Sequence, residues 1–257
     1  MENMKKLILN EIKRIIIEFE SREEIKTRWK TPILGFAHAY DPIFDQLKEV
    51  AFEEHINPED ILESAQTVIA YFLPFEDSIS QSNIDGRFSS KEWGQAYIET
   101  NLLICEINDN LIVFLQDKGY NAAKIPPEKN MDYEKLKSVW SNRHVAYIAG
   151  LGKFGLNNML ITESGCCGRL GNVVTSLKLE ATKRREEESC LYKHNKTCSI
   201  CVDRCVNDAL FVDKFNRFKC FEMCQENDKE YGSLGTAEIC GKCLVGLPCS
   251  LNNPVKL

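Results

Sequence analysis

The chain has 257 residues, 44% of them hydrophobic, and a formal net charge of −6. That is enough apolar material for one large domain, or for a medium domain with a small appendage. The acidic balance argues against a surface built to seek nucleic acid, and no stretch is long and apolar enough to span a membrane as a helix.

At the N-terminus, Glu11, Lys13 and Arg14 interrupt the apolar residues before a signal-peptide core can form. Ile8, Ile12, Ile15, Ile16 and Phe19 share one helical face, which predicts an amphipathic helix. A twin-arginine signal is absent, so the expected location is the cytoplasm, where thiols stay reduced. His38, in GFAHAY, reads most simply as a satisfied structural histidine. Asn57 as N-cap and Pro58 at the first helical position start a helix in NPEDILES. TVIAYFLPF (67–75) is β-branched and aromatic and predicts a buried strand ended by Pro74. Lys91 to Lys118 predicts one long helix stopped by Gly119, with Ile98, Leu102, Cys105, Ile112 and Leu115 facing inward. VAYIA (145–149) reads as a strand before a glycine loop, and GNVVTSLKLEA (171–181) as another. The mixed order predicts an α+β first domain, residues 1–182.

The twelve cysteines are unevenly placed: nine lie in residues 190–257. The charged segment 180–189 reads as a linker to a second domain, 183–257. In a reducing compartment these thiols point to metal rather than disulfides. A two-cluster ferredoxin run has the spacing C-x2-C-x2-C-x3-C-P, and its last cysteine serves the other cluster. Cys198, Cys201 and Cys205 match its last three positions, and Cys190 substitutes for the first on a longer loop. Cys220 precedes CGKCLVGLPC, which supplies Cys240, Cys243 and Cys249. Crossing the runs gives two full sets: Cys190, Cys198, Cys201 and Cys249 for one [4Fe–4S] cluster, and Cys205, Cys220, Cys240 and Cys243 for the other. Cys224 is left over. Zinc is the alternative, because two C-x2-C pairs can make a tetrahedral site, but eight cysteines in interleaved triplets suit two clusters better. His194, inside the first run, is not needed as a ligand. Two clusters form a wire for electrons, and a wire needs a terminus.

HVAYIAGLGKFGLNNMLIT contains Gly150, Gly152 and Gly155 as a literal G-x-G-x-x-G. A dinucleotide site would need a helix directly after it and a framing βαβ unit. LNNMLIT is a poor helix start, so the loop reads as a close-packed turn or as backbone approaching another large cofactor. Arg143 and His144, just before it, could meet an anionic cofactor edge or make surface contacts. The vicinal pair Cys166-Cys167 could be redox-active, but sequence does not give its thiolate state.

AGLGKFGLNNMLIT, GRLGNVVTSLKLE and the paired cysteine runs together resemble the epoxyqueuosine reductases and corrinoid reductive dehalogenases. The resemblance covers roughly residues 29–257. It implies an N-terminal domain like nitroreductases and cobalamin-processing proteins that cradles a corrinoid, and a C-terminal ferredoxin-like domain that feeds it electrons. It also places Gly150, Gly152, Gly155 and Asn157 at the corrinoid. The family's aspartate proton donor has no counterpart in register: Asp132 and Glu134 are nearby, and no catalytic acid is assigned. Epoxyqueuosine reductases carry a helical-repeat extension that helps bind tRNA. Here eight residues follow Cys249, so the expected substrate is a small molecule or nucleoside rather than tRNA.

The resulting expectation is a cytoplasmic iron–sulfur reductase with two [4Fe–4S] clusters and a cobalamin, reduced by an external donor such as a ferredoxin or flavodoxin. One rival is a corrinoid-handling or electron-transfer protein without substrate chemistry of its own. The other is an FMN-dependent reductase, since nitroreductase-like domains also bind flavin.

Overall fold

The computed structural model describes residues 2–126, 129–231, 233 and 235–255. The chain begins with α1 (Glu2–Glu20), β1 (Ile33–His38), α2 (Ile43–Val50), α3 (Pro58–Ile61), β2 (Thr67–Pro74) and α4 (Asp77–Ser82). It continues through α5 (Lys91–Gln116), β3 (Ala122–Ala123), β4 (Met131–Asp132), β5 (Lys137–Ser138) and α6 (Asn142–Ile148). Next come β6 (Gly152–Phe154), β7 (Leu160–Thr162) and β8 (Gly168–Thr175), then α7 (Leu191–Asn195), α8 (Ile200–Asp203) and α9 (Arg217–Tyr231).

One antiparallel sheet, ordered β1-β2-β8-β3, organises the first part. Every residue of β2 is buried. Successive strand side chains point to opposite faces. Ile69, Tyr71 and Leu73 join a core with α1 and α5, while Val68, Ala70 and Phe72 join a second core with α2 and α6. A strand covered on both faces needs an unbroken apolar run rather than an alternating one, which explains TVIAYFLP. The result is a mixed helix-and-strand fold with helices on both faces of the sheet.

All five predicted inward residues of α1 are buried. The long helix α5 was placed well, but its inward face was not. Of the expected stripe only Leu115 is buried; Ile98, Cys105 and Ile112 are half-buried and Leu102 is exposed, while Ala96, Thr100, Leu103, Ile107 and Leu111 make up the rest of the buried face. The helix carries apolar residues on two sides, so periodicity alone could not choose between them. VAYIA belongs to α6 rather than a strand: a run this short fits a buried helix as well as a strand. The helix expected in NPEDILES is a single turn, with Asn57 N–H donating to Asp60 Oδ2 at 2.8 Å. β8 starts before Gly171 and stops at Thr175; beyond it Leu177 and Leu179 are buried without regular structure.

Residues 176–190 contain no helix or strand, yet they are tied down. Thr182 N–H donates to Phe36 O at 2.8 Å, and Phe36 N–H donates to Thr182 Oγ1 at 3.0 Å, covering the free edge of β1. Arg184 pairs with Asp41 and Arg185 with Glu163, each at 2.5 Å.

Candidate metal centres and an adjoining cavity

The cysteine region is built from short helical pieces. Cys198 and Cys205 flank α8 and Cys201 lies in it. Cys220 and Cys224 are one turn apart on α9. Cys249 is anchored by the first part of the chain: Cys166 N–H donates to Cys249 O at 3.0 Å, and Cys167 N–H to Ser250 O at 3.0 Å. Gly165 makes that approach possible. Its φ is +76°, and a Cβ there would lie 2.3 Å from Ser250 O.

The structure sorts the thiols into two groups. Cys190, Cys198, Cys201 and Cys249 line one small cavity with Gly155 and Asn157. Cys205, Cys220, Cys240 and Cys243 line another, of about 260 Å³. Cys224, left over in the sequence, lines the second as well. Among the described residues, no three His, Cys, Asp or Glu side chains converge closely enough to hold a single metal ion. The thiols ring a space rather than a point.

Their electrostatics are mutually unfavourable. Burial and the neighbouring Cys249, Cys190 and Cys198 push Cys201 up to about 12. Burial raises Cys243 well above the usual thiol range, and Cys240 to about 11. Cys220 is held down at about 7 by the hydrogen bond from Cys224, with the Arg143 guanidinium assisting against burial. Such crowding disfavours several thiolates together, and a multiply charged cation reverses that sign.

The glycine loop follows helix α6 and opens a β6–β7 hairpin, which removes the framing a dinucleotide site needs. Gly152 has a packing reason: a Cβ there would stand 2.2 Å from Ile161 O on the paired strand. Gly150 backs onto Thr182, and Gly155 onto Asn157 and Ile161. Asn157 is buried and lines both thiol cavities; its Nδ2 donates to Cys243 O at 2.8 Å. Arg143 donates to Asn158 O at 2.8 Å beside the second group. His144 packs against Phe154, hydrogen bonds Ser141 Oγ, and is pushed down to about 4 by burial and Arg143, so it is neutral near pH 7. His38 accepts from Tyr40 N–H at 3.1 Å, a local structural role. His194 is exposed and lines neither thiol cavity.

A third cavity, about 540 Å³, lies between α5, β8, the β4–β5 hairpin and α9. It shares Met131 and Phe221 with the second thiol cavity. Gly150, Gly152, Gly155 and Asn157 do not line it. Its wall includes Tyr97, Asn101, Asn130, Asn142, Arg169 and Glu238. Burial, and then Asp228, raises the Glu238 carboxyl above the usual range. Sequence reading missed these residues because they are dispersed over four segments and form no motif.

No family model matches the chain. It is 27% identical over 211 residues to an epoxyqueuosine reductase of Staphylococcus aureus, covering 73% of this chain and 51% of that protein. The chain thus spans about half the length of that curated relative. The solved epoxyqueuosine reductase of Streptococcus thermophilus has the same fold over 96% of this chain and 68% of its own, at TM-score 0.56 and 19% identity. A reductive dehalogenase whose structure is described as suggesting a mechanism for B12-dependent dehalogenation matches 87% of this chain and 30% of its own, at TM-score 0.55 and 14% identity. The relatives and the shared fold carry the same names as the family that the glycine and cysteine motifs resemble: the chain is similar to the epoxyqueuosine reductases and, in fold, to a reductive dehalogenase.

Proposed function

We propose that the chain is an iron–sulfur reductase in which two [4Fe–4S] clusters lead electrons to a corrinoid in the 540 Å³ cavity. The observation that carries this is the crossed sorting of the thiols. Cys249 groups with Cys190, Cys198 and Cys201, and Cys205 groups with Cys220, Cys240 and Cys243. Nine thiols line the two spaces; four in the first and, with Cys224 set aside, four in the second fit cubane clusters held by four cysteines each. The adjoining cavity falls within the size range of organic-ligand pockets and meets the second group at Met131 and Phe221. When bound, the clusters supply single-electron transfer and the corrinoid supplies a reducible cobalt.

The chain's own residues supply the surroundings. Asn157 spans both thiol groups and fixes the Cys243 carbonyl, so we assign the hairpin with Gly152, Gly155 and Asn157 to holding the two centres at a set separation. Gly150 supports that hairpin from below through its packing on Thr182. The domains meet near residue 182 in this reading.

The test is anaerobic purification with metal, sulfide and spectral analysis. About eight irons and eight sulfides per chain are expected, as two four-cysteine sites imply, with corrinoid absorption after addition of cobalamin. Stoichiometric zinc without acid-labile sulfide would remove the reading. A flavin spectrum would replace the corrinoid with FMN, and clusters alone would leave an electron carrier.

A further inference from the structure

The wall of the 540 Å³ cavity presents hydrogen-bond donors whose matching acceptors are already used. Three asparagines show this. Arg169 Nη2 donates to Asn101 Oδ1 at 2.7 Å. A guanidinium only donates, so the amide orientation is fixed and Nδ2 is left over. The backbone N–H of Trp140 donates to Asn130 Oδ1 at 2.9 Å and fixes that amide in the same way. The Trp140 indole N–H donates to Asn172 Oδ1 at 2.7 Å. Asn172 Nδ2 is therefore the donor to Asn142 Oδ1 at 2.8 Å, and Asn142 also keeps only its Nδ2. Among the described residues, the Nδ2 groups of Asn101, Asn130 and Asn142 have no protein acceptor.

The charges point the same way. The Arg169 guanidinium lies 4.1 Å from the Tyr97 ring centroid and is braced by Asn101. No carboxylate stands within ion-pair distance of it among the described residues. Lys124, the other cation of the wall, is already paired with Asp109 at 2.7 Å. Glu238 also lines the wall. A braced planar fork loses little freedom on binding and matches the two oxygens of a phosphate or carboxylate.

We propose that this cavity is an oxyanion-binding site, with Arg169 as charge partner of a phosphate or carboxylate and Asn101, Asn130 and Asn142 donating to further oxygens of the same ligand. Naming the ligand class deepens the reductase reading and rests on it only where a corrinoid is the source of the phosphate. The experiment titrates the anaerobic holoprotein with inorganic phosphate, benzoate, hydroxocobalamin and dicyanocobinamide, which lacks the phosphodiester, by calorimetry. Wild type should bind phosphate or benzoate, and Arg169→Gln should weaken that binding about tenfold or more, as expected for a lost charge-assisted pair. Asn101→Ala, which keeps the charge but unbraces it, should weaken it several-fold. Binding of neither anion by wild type, or equal binding by wild type and Arg169→Gln, overturns the site. If Arg169→Gln fails to fold, unchanged affinity in Asn101→Ala overturns it. A preference for hydroxocobalamin over cobinamide that vanishes in Arg169→Gln identifies the phosphodiester as the source. Anion binding through Arg169 without binding of either corrinoid keeps the site and removes the corrinoid from the reductase reading. Corrinoid binding that ignores Arg169, with no anion binding, does the reverse.

Discussion

Residues 33–175 surround a sheet whose central strand is buried along its whole length. Residues 190–255 have a small core of their own, made of Cys201, Leu210 and Leu247, beside nine thiols. The longest helix there, α9, buries only Met223 and Asn227. The first region is held by apolar burial, which needs no ligand. The second leans on the first: Cys190, Ile239, Leu244 and Val245 join the core shared by α1, α5 and the sheet, and polar ties add to this. Lys242, almost fully buried, donates through Nζ to Asn83 O at 2.9 Å and Asp85 O at 2.6 Å. Asn83 Nδ2 donates to Cys240 O at 3.0 Å, and Arg204 Nη2 to Ile84 O at 2.5 Å. A segment with so little core is expected to need its metal to fold.

The contrast can be broken most severely by taking the metal away. Chelating iron from the holoprotein should make residues 190–231 protease-sensitive while the sheet region survives. Limited proteolysis with mass spectrometry reads this, and equal cleavage in both regions would erase the distinction. Next in size is a cut into the sheet. Ile69→Ala removes a fully buried side chain from the central strand and should cost about 2–5 kcal/mol, measured by denaturant unfolding. Its effect should appear in the metal-free protein as well. Lys242→Met should then cost about 1–3 kcal/mol by stranding the carbonyl of buried Asn83. Hydrogen exchange should locate that loss at residues 83–90 and 236–245 rather than in the sheet. The smallest effect is expected at the start of α5, where Ser90 Oγ accepts from Trp93 N–H at 3.0 Å. Ser90→Ala should cost about 1 kcal/mol, seen as a modest fall in melting temperature.

Much of this contrast was legible in the sequence. α1 showed its buried face because its other faces are strongly charged. β2 announced double coverage by its unbroken apolar run. The grouping of the thiols around two cavities matches the reading in which the last cysteine of each run joins the other set. The inward face of α5 was not legible, since the helix meets a core on one side and the 540 Å³ cavity, through Ile104 and Cys105, on another. That Cys224 lines the second cavity beside Cys220 follows from their one-turn spacing on α9, not from the metal motif. Arg169 and its asparagines carry no spacing signal at all. They meet only after β8, α5 and the β4–β5 hairpin have been brought together by the sheet.

The anchoring of Cys249 by Cys166 and Gly165 bears on the order in which the protein can be completed during translation. On the proposed ligand sets, the second centre has all four of its thiols once Cys243 has emerged from the ribosome. The first centre, although three of its ligands are made earliest, waits for Cys249, the last of the eight to be synthesised. The docking surface for that last ligand, the turn at residues 165–167, is coded ahead of all eight. Cofactor loading is therefore expected to run backwards along the chain, with the later-coded centre filled first and the earlier-coded one closed last.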